Sequence, residues 1–207
     1  MTPLWIMKDY IRKKVGLSLK PDGIGSDITI LSSNCTGSLI LHEMGLPFNS
    51  PCVNLWMQNS DFVKFCENLD KYTGDNVKIE FIDDGIHNYP VGKLEDITIY
   101  FMHYKTSQEA EKKWIERSKR INKDNLFVMM VQRDDWKEED LFNFDRLEYK
   151  NKVVFTYKEY PDIKSAFYIK GFEKNKSVGH LFKFEKLLSL KKYYDQFEVI
   201  KFLNGDK

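Results

Sequence analysis

The run ITILSSNCTGSLILHEMGL, residues 28–46, passes from an apolar stretch through Ser32, Ser33, Asn34 and Cys35 into a helical pattern. A thiol at that joint stands at or just before a helix amino terminus, where unpaired amides and the positive dipole end lower its pKa. Cys35 could then attack an acyl carbonyl while neighbouring amides hold the oxyanion. The same residues fit two other arrangements. Ser32, Ser33 and Asn34 cap the helix and Cys35 packs, or Ser33, Asn34 and the loop amides bind a phosphate. The loop has neither the P-loop spacing nor G-x-G-x-x-G.

A nucleophile or an acceptor hydroxyl needs a base. His103 closes the apolar run ITIYFMHY, where a neutral imidazole at a strand end can face a cleft and take a proton. His87 sits in a polar loop beside Asp83 and Asp84, which could orient it. His42 falls within a helix pattern and reads as packing or surface, and His180 has no evident partner. Asp83 and Asp84 would orient the base, hold a sugar, or hold a divalent cation on a sugar-nucleotide diphosphate. Followed by Gly85, they equally suit a plain turn. Arg133-Asp134-Asp135 carries the same choice between a turn and a site, with Arg133 suited to phosphate. Tyr89 and Tyr104 could stack on a sugar face. Zinc is not indicated, because the cysteines and histidines lack tight ligand spacing.

These residues must be positioned by elements that the apolar pattern marks out. Residues 27–31, 77–82, 97–104, 125–132 and 152–157 read as strands, the third and fourth strongly apolar, with 165–171 as a further one and CVNLW, 52–56, as a short one. The segment GIHNYPVGKLED between the second and third reads as a loop. Helices are expected at 36–44, 61–72 with Ser60 as cap, 106–121 opened by Thr106 and Glu109, 137–144 and, in one or two pieces, 184–203. Cys66 belongs to the apolar stripe of the second helix and reads as core. At the amino end, residues 3–15 form a basic amphipathic helix. Leu4, Met7, Tyr10, Ile11 and Val15 lie on one face, and Lys8, Arg12, Lys13 and Lys14 lie opposite. Its apolar face would cover part of the core or a partner, and such a helix can also rest on a membrane surface.

Strands apolar on both faces, alternating with helices, imply an α/β fold: a three-layer, Rossmann-like, mainly parallel sheet with helices on both faces. Ligands in such sheets bind beyond the carboxyl ends of the strands, where Ser32–Cys35, 83–89, 103–104 and 133–135 would lie. At 207 residues the chain is expected to be one domain, 1–207, with residues 1–20 as an appendage and 160–207 as a helical extension. Its net charge of +1 argues against a nucleic-acid partner. The mildly basic half from Phe101 onward reads as solvated surface. Three cysteines without a C-x-x-C pair, no signal-peptide pattern and no long apolar run point to a reducing, cytoplasmic setting.

Several separated blocks, ILSSNCTGSLILHEMGLPFNSPCVNLWM, DFVKFCENLDKY, YPVGKLEDITIYFMHYKTSQEAEKKWIERSKRINKDNLFVMM and NKVVFTYKEY, together resemble one bacterial family. That family is catalogued as a domain of unknown function, and its members are often labelled exopolysaccharide biosynthesis proteins or acetyltransferases. The resemblance spans residues 26–158. The Asn34-Cys35 pair is also similar to the Asn-Cys pair at the first strand of capsule-modifying enzymes that bind coenzyme A, although Thr36 replaces the Gln that follows there. The resemblance implies a transferase acting on a surface polysaccharide or its precursor, with a coenzyme A thioester as acyl donor. The alternatives are a nucleotide-sugar-dependent glycosyltransferase using a divalent cation, and a binding module without catalysis. A cytoplasmic location, with contact at the inner membrane face through the amino-terminal helix, completes the expectation.

Overall fold

The computed structural model describes residues 3–74, 76–133 and 135–205. Four strands, β1 (Thr29–Ser32), β5 (Leu126–Val131), β6 (Asn151–Thr156) and β7 (Ala166–Tyr168), form a wholly parallel sheet in the order β1-β5-β6-β7. The six residues LFVMMV of β5 are all buried, as a central parallel strand covered on both faces requires. Successive side chains point to opposite faces. Leu31, Val128, Met130 and Val154 therefore enter one core, with α3 (Asn59–Glu67), α5 (Ser107–Ser118) and α6 (Glu138–Arg146). Ile30, Phe127, Met129, Val153 and Phe155 enter the other, with α2 (Thr36–Met44) and α7 (Val199–Leu203). The expected three-layer α/β architecture is present.

Two expected members of that sheet lie elsewhere. β2 (Glu80–Ile82), β3 (Val91–Leu94) and β4 (Ile97–Tyr100) form a separate antiparallel sheet on the α3 side, inserted between β1 and β5. β3 falls inside the segment read as a loop. Its apolar alternation is broken by Gly92, and the hairpin turn to β4 uses Glu95-Asp96, with Glu95 at φ +52°, in place of the Asn-Gly pair that announces such turns. The Cys52–Trp56 stretch read as a short strand contributes a single bridge, Trp56 to Tyr100.

Three helix expectations change. The helix at 61–72 starts earlier, at Asn59 with Gln58 rather than Ser60 as its cap, and breaks at Asn68 into α3 and a short α4 (Leu69–Thr73). Thr106 caps α5 through the amide of Glu109 at 3.2 Å, and the helix ends at Ser118. The segment 184–203 is mostly irregular. It holds a 3₁₀ turn at Tyr193–Gln196 and the five residues of α7. Its helix-like periodicity came from Leu187 and Leu188, which are 74% and 94% exposed at the tip of a loop closed by the Phe184–Lys192 bridge.

The amino-terminal helix α1 (Leu4–Lys14) is turned opposite to expectation. Lys8 and Arg12 are buried, whereas Leu4, Trp5, Ile6, Met7 and Tyr10 are exposed. Arg12 grips Asp195 with both terminal nitrogens, at 2.7 and 2.9 Å, and also donates to the Tyr194 hydroxyl and to the carbonyls of Leu17 and Leu190. Burial opposes its charge, and these partners together with Glu43 outweigh that, so its pKa is raised. No helix among the described residues is long and apolar enough to cross a membrane.

Candidate functional site

The first joint is built tightly. Gly37 lets α2 lie directly on β1, since a Cβ there would stand 2.7 Å from Ile30 and 2.9 Å from Ser32. Gly45, at φ +72°, ends the helix, and Leu46 returns an amide to the Leu41 carbonyl at 2.9 Å. Ser33 bridges to β5: its amide donates to Met129 and its hydroxyl accepts from Val131, both at 3.1 Å. Asn34 accepts from the Thr36 amide at 3.0 Å, so its side chain caps the helix. Ser33 and Asn34 thus hold the joint in place, which is the capping arrangement.

Cys35 occupies the cap position of α2, half-buried, with its sulfur 3.8 Å from the Leu55 carbonyl. Burial raises its pKa; the charge of Arg133 and the backbone at Leu55 and Asn54 oppose that only in part. Burial thus acts against the lowering that a helix amino terminus would give. Cys52 and Cys66 are fully buried, which pushes Cys52 up to about 11 and raises Cys66 well above the ordinary range.

Beyond the carboxyl ends of β1 and β5 lies a cleft of about 250 Å³. Asn34, Cys35 and Thr36 line it from the first joint, Arg133 from the end of β5, and Trp56 from the segment after α2. Gly179, His180, Leu181 and Phe182 close it from a loop that the sequence left without a role. Gln132 explains how that loop arrives. Its carbonyl accepts from the Val178 amide at 2.8 Å, while its side chain donates to Tyr160 and accepts from the Tyr157 amide. Gly179 is needed there, since a Cβ would stand 2.6 Å from the Phe172 ring.

An aromatic shelf continues from Trp56. Its ring stacks on Tyr100 at 3.9 Å and 7°, and its indole N–H donates to the Tyr89 hydroxyl at 3.3 Å. His87 packs against Tyr89 and Tyr100 at 4.9 and 5.2 Å and pairs through Nδ1 with Asp84 at 2.6 Å. Asp84, His87 and Tyr89 are thus brought together, with Trp56 and Tyr100, which sequence reasoning missed. The signal was present in two aromatics on facing segments, but their pairing depends on the bridge between Trp56 and Tyr100.

Asp83 accepts from the Gly85 amide in its turn. Asp84 accepts from the amides of His87 and Ile86 and from the His87 ring, which together hold its carboxyl at about 2. A depressed carboxylate contributes its stabilisation above the unfolded pKa and loses it as pH falls through the folded one. The shelf is therefore expected to keep its near-ultraviolet circular dichroism down to about pH 4 and to lose it progressively toward about pH 2. Asp84→Asn should remove that acid transition, and an unchanged transition in the variant would assign it to another group.

His103 and Tyr104 do not join the cleft as expected. β4 ends at Tyr100, so His103 falls in an exposed turn after it and is no longer a strand-end residue. Tyr104 is buried, donating to the Val53 carbonyl at 2.8 Å and accepting from Arg117 at 2.6 Å, so it presents no ring face to a sugar. Asp134 lies outside the described residues. Among the described residues no group of three or more His, Cys, Asp or Glu side chains could hold a metal ion. A depression of about 390 Å³ near Cys66, Asp70, Lys123 and Tyr149 lies at the amino ends of the strands, away from these groups.

The chain is an α/β protein whose main sheet is parallel, with a cleft at the carboxyl edge of that sheet. The chain belongs to the family described as a domain of unknown function, DUF1919, whose model matches residues 6–204. It is 44% identical over 208 residues, covering 99% of each chain, to a Haemophilus influenzae protein described as uncharacterised.

Proposed function

We propose that this chain is a transferase that moves an acyl group onto a hydroxyl of a surface saccharide or saccharide precursor. The observation that carries the reading is the union, at one cleft, of Arg133 and His180 with Trp56, whose ring is braced from behind by Tyr100 and could offer its other face to a sugar. The lining combines Leu39, Leu181 and Phe182 with Asn34, Thr36 and Arg133, which suits the reacting end of a coenzyme A thioester. When bound, that donor supplies an activated carbonyl and a thiol leaving group. His180 would take the proton from the acceptor hydroxyl as its oxygen bonds to the carbonyl carbon and the thioester bond breaks, and return it to the departing thiolate. Arg133 and the amino end of α2 at Thr36 supply positive potential against the developing oxyanion. Cys35 serves here as part of the cleft wall, since burial raises its thiol pKa and so disfavours the thiolate.

Thermal unfolding with acetyl coenzyme A, coenzyme A and nucleotide sugars, each with and without magnesium, tests the donor. At about a hundred times its dissociation constant a ligand adds ~2.7 kcal/mol, roughly a 5–10 °C rise for a domain of this size. The expected result is a rise with acetyl coenzyme A that survives Cys35→Ala and shrinks in Arg133→Gln. A magnesium-dependent rise with a nucleotide sugar alone would move the reading to glycosyl transfer. Stable binding without turnover across candidate saccharide acceptors would make the chain a binding module.

A further inference from the structure

α1 shows its apolar residues to solvent because its charged ones are committed inward. Lys8 donates to the carbonyls of Lys186 and Leu187 at 3.2 and 3.1 Å and lies 3.7 Å over the Phe184 ring. Those bonds clamp the Leu187-Leu188 tip against the helix. Arg12, fully buried, fixes the rotation of the helix about its axis. Rolling α1 to hide Tyr10 and Met7 would strip Arg12 of its partners and expose the charge network beneath. The outward face is therefore a fixed feature of the fold. It carries Ile6, Met7 and Tyr10, with Trp5 on its flank beside the neighbouring cavity and Leu187 and Leu188 exposed at the loop tip that Lys8 holds.

The exposed charge around this face is mostly positive. Lys13, Lys14, Lys183, Lys186 and Lys191 are exposed along α1 and the loop 183–192. The carboxylates of the same segments are engaged: Asp9 pairs with Lys192 at 2.7 Å beside the neighbouring cavity, and Glu185 accepts from Gln196 at 2.9 Å. The whole chain carries only +1, so this concentration is local. A hydrophobic tip with an indole and a phenol, rimmed by lysines, matches the interface of an anionic bilayer: apolar side chains enter the headgroup boundary and lysines meet lipid phosphates.

We infer that α1 and the Leu187-Leu188 loop together form a docking surface for an anionic phospholipid membrane. The surface is continuous with the candidate cleft, since a cavity of about 370 Å³ beside Trp5 and Lys13 shares Leu39 and Phe182 with it. The inference stands apart from the acyl-transfer reading and does not depend on it.

Sedimentation of the full chain with vesicles of phosphatidylcholine, alone or mixed with phosphatidylglycerol, tests it. Pelleting is expected with the mixed vesicles, weakening as salt rises. Lys13→Glu with Lys14→Glu should weaken it by about thirtyfold or more, and Leu187→Ser with Leu188→Ser by at least about tenfold. Both pairs are exposed, so circular dichroism and melting should stay unchanged. Emission of Trp5, assigned with Trp5→Phe, should shift to the blue and be quenched by brominated acyl chains. Absence of pelleting with both vesicles, or pelleting indifferent to both double variants, would overturn the inference. So would a light-scattering mass of twice the chain that falls to the monomer in Leu187→Ser/Leu188→Ser, which would make the face a contact between copies.

Discussion

Asp195→Ala is expected to destabilise the protein by about 3 kcal/mol, at the lower end of the cost of breaking a buried ion pair from one side. The substitution leaves the Arg12 guanidinium, 0% exposed, without its bidentate partner. Tyr194, Leu17 and Leu190 still accept from it, and Glu43 remains at 3.9 Å, which keeps the loss from being larger. Removing the cation instead should cost less. Arg12→Met leaves Asp195, whose side chain is 23% exposed and so reachable by water, and leaves Glu43 with Tyr194 and Lys192. Arg12→Met is expected to cost about 1–2 kcal/mol, since a hydrophobic side chain of similar volume often replaces a buried ion well. Thermal or urea unfolding of both variants gives the comparison. At roughly 2–4 °C per kcal/mol, Asp195→Ala should melt about 6–12 °C lower than the parent. If Arg12→Met proves the worse of the two, the network acts through the packing of the arginine stem and not through its charge.

His180→Ala is expected to lower turnover by about a hundredfold or more, the usual range for a positioned general base. Its side chain is exposed at the cleft mouth, so the melting temperature should stay within about 1 °C. His103→Ala is the matched control, expected to leave turnover unchanged because that histidine lies in the exposed turn after β4. The pair separates the base proposed from the structure from the one suggested by the sequence. With acyl transfer from a coenzyme A thioester to a saccharide as the readout, His180→Ala should reduce kcat with little change in KM for the donor. Equal activity in the two variants would remove His180 from the mechanism while leaving the cleft as the binding site.

The parts of this molecule legible in the sequence are those whose signal is local. β5 was readable because LFVMMV is an unbroken apolar run ended by Gln132 and Arg133, and a central parallel strand needs nothing else to identify it. The joint at Ser32–Cys35 was readable because short polar side chains between a strand and a helix cap that helix, as Asn34 does. The pairing of Asp84 with His87 was readable because they stand three positions apart in one turn.

The rest was decided by partners far away in the chain. β3 was hidden because its strand identity comes from pairing with β2 and β4, and its own residues include a glycine and a lysine. His180 reaches the cleft because Gln132, just after β5, draws the loop at 178, 46 residues further on, over the sheet edge. Periodicity fixed that α1 has an apolar and a charged face, but not which one points inward. That choice belongs to Asp195 and Tyr194, more than 180 residues along the chain, whose oxygens make burying an arginine more favourable than burying the aromatic stripe opposite it. The sequence alone therefore determined the layers, the central strand and the first edge of the cleft. Tertiary structure decided which histidine reaches that cleft and which face of α1 meets solvent, because both depend on hydrogen-bond partners that no local pattern reveals.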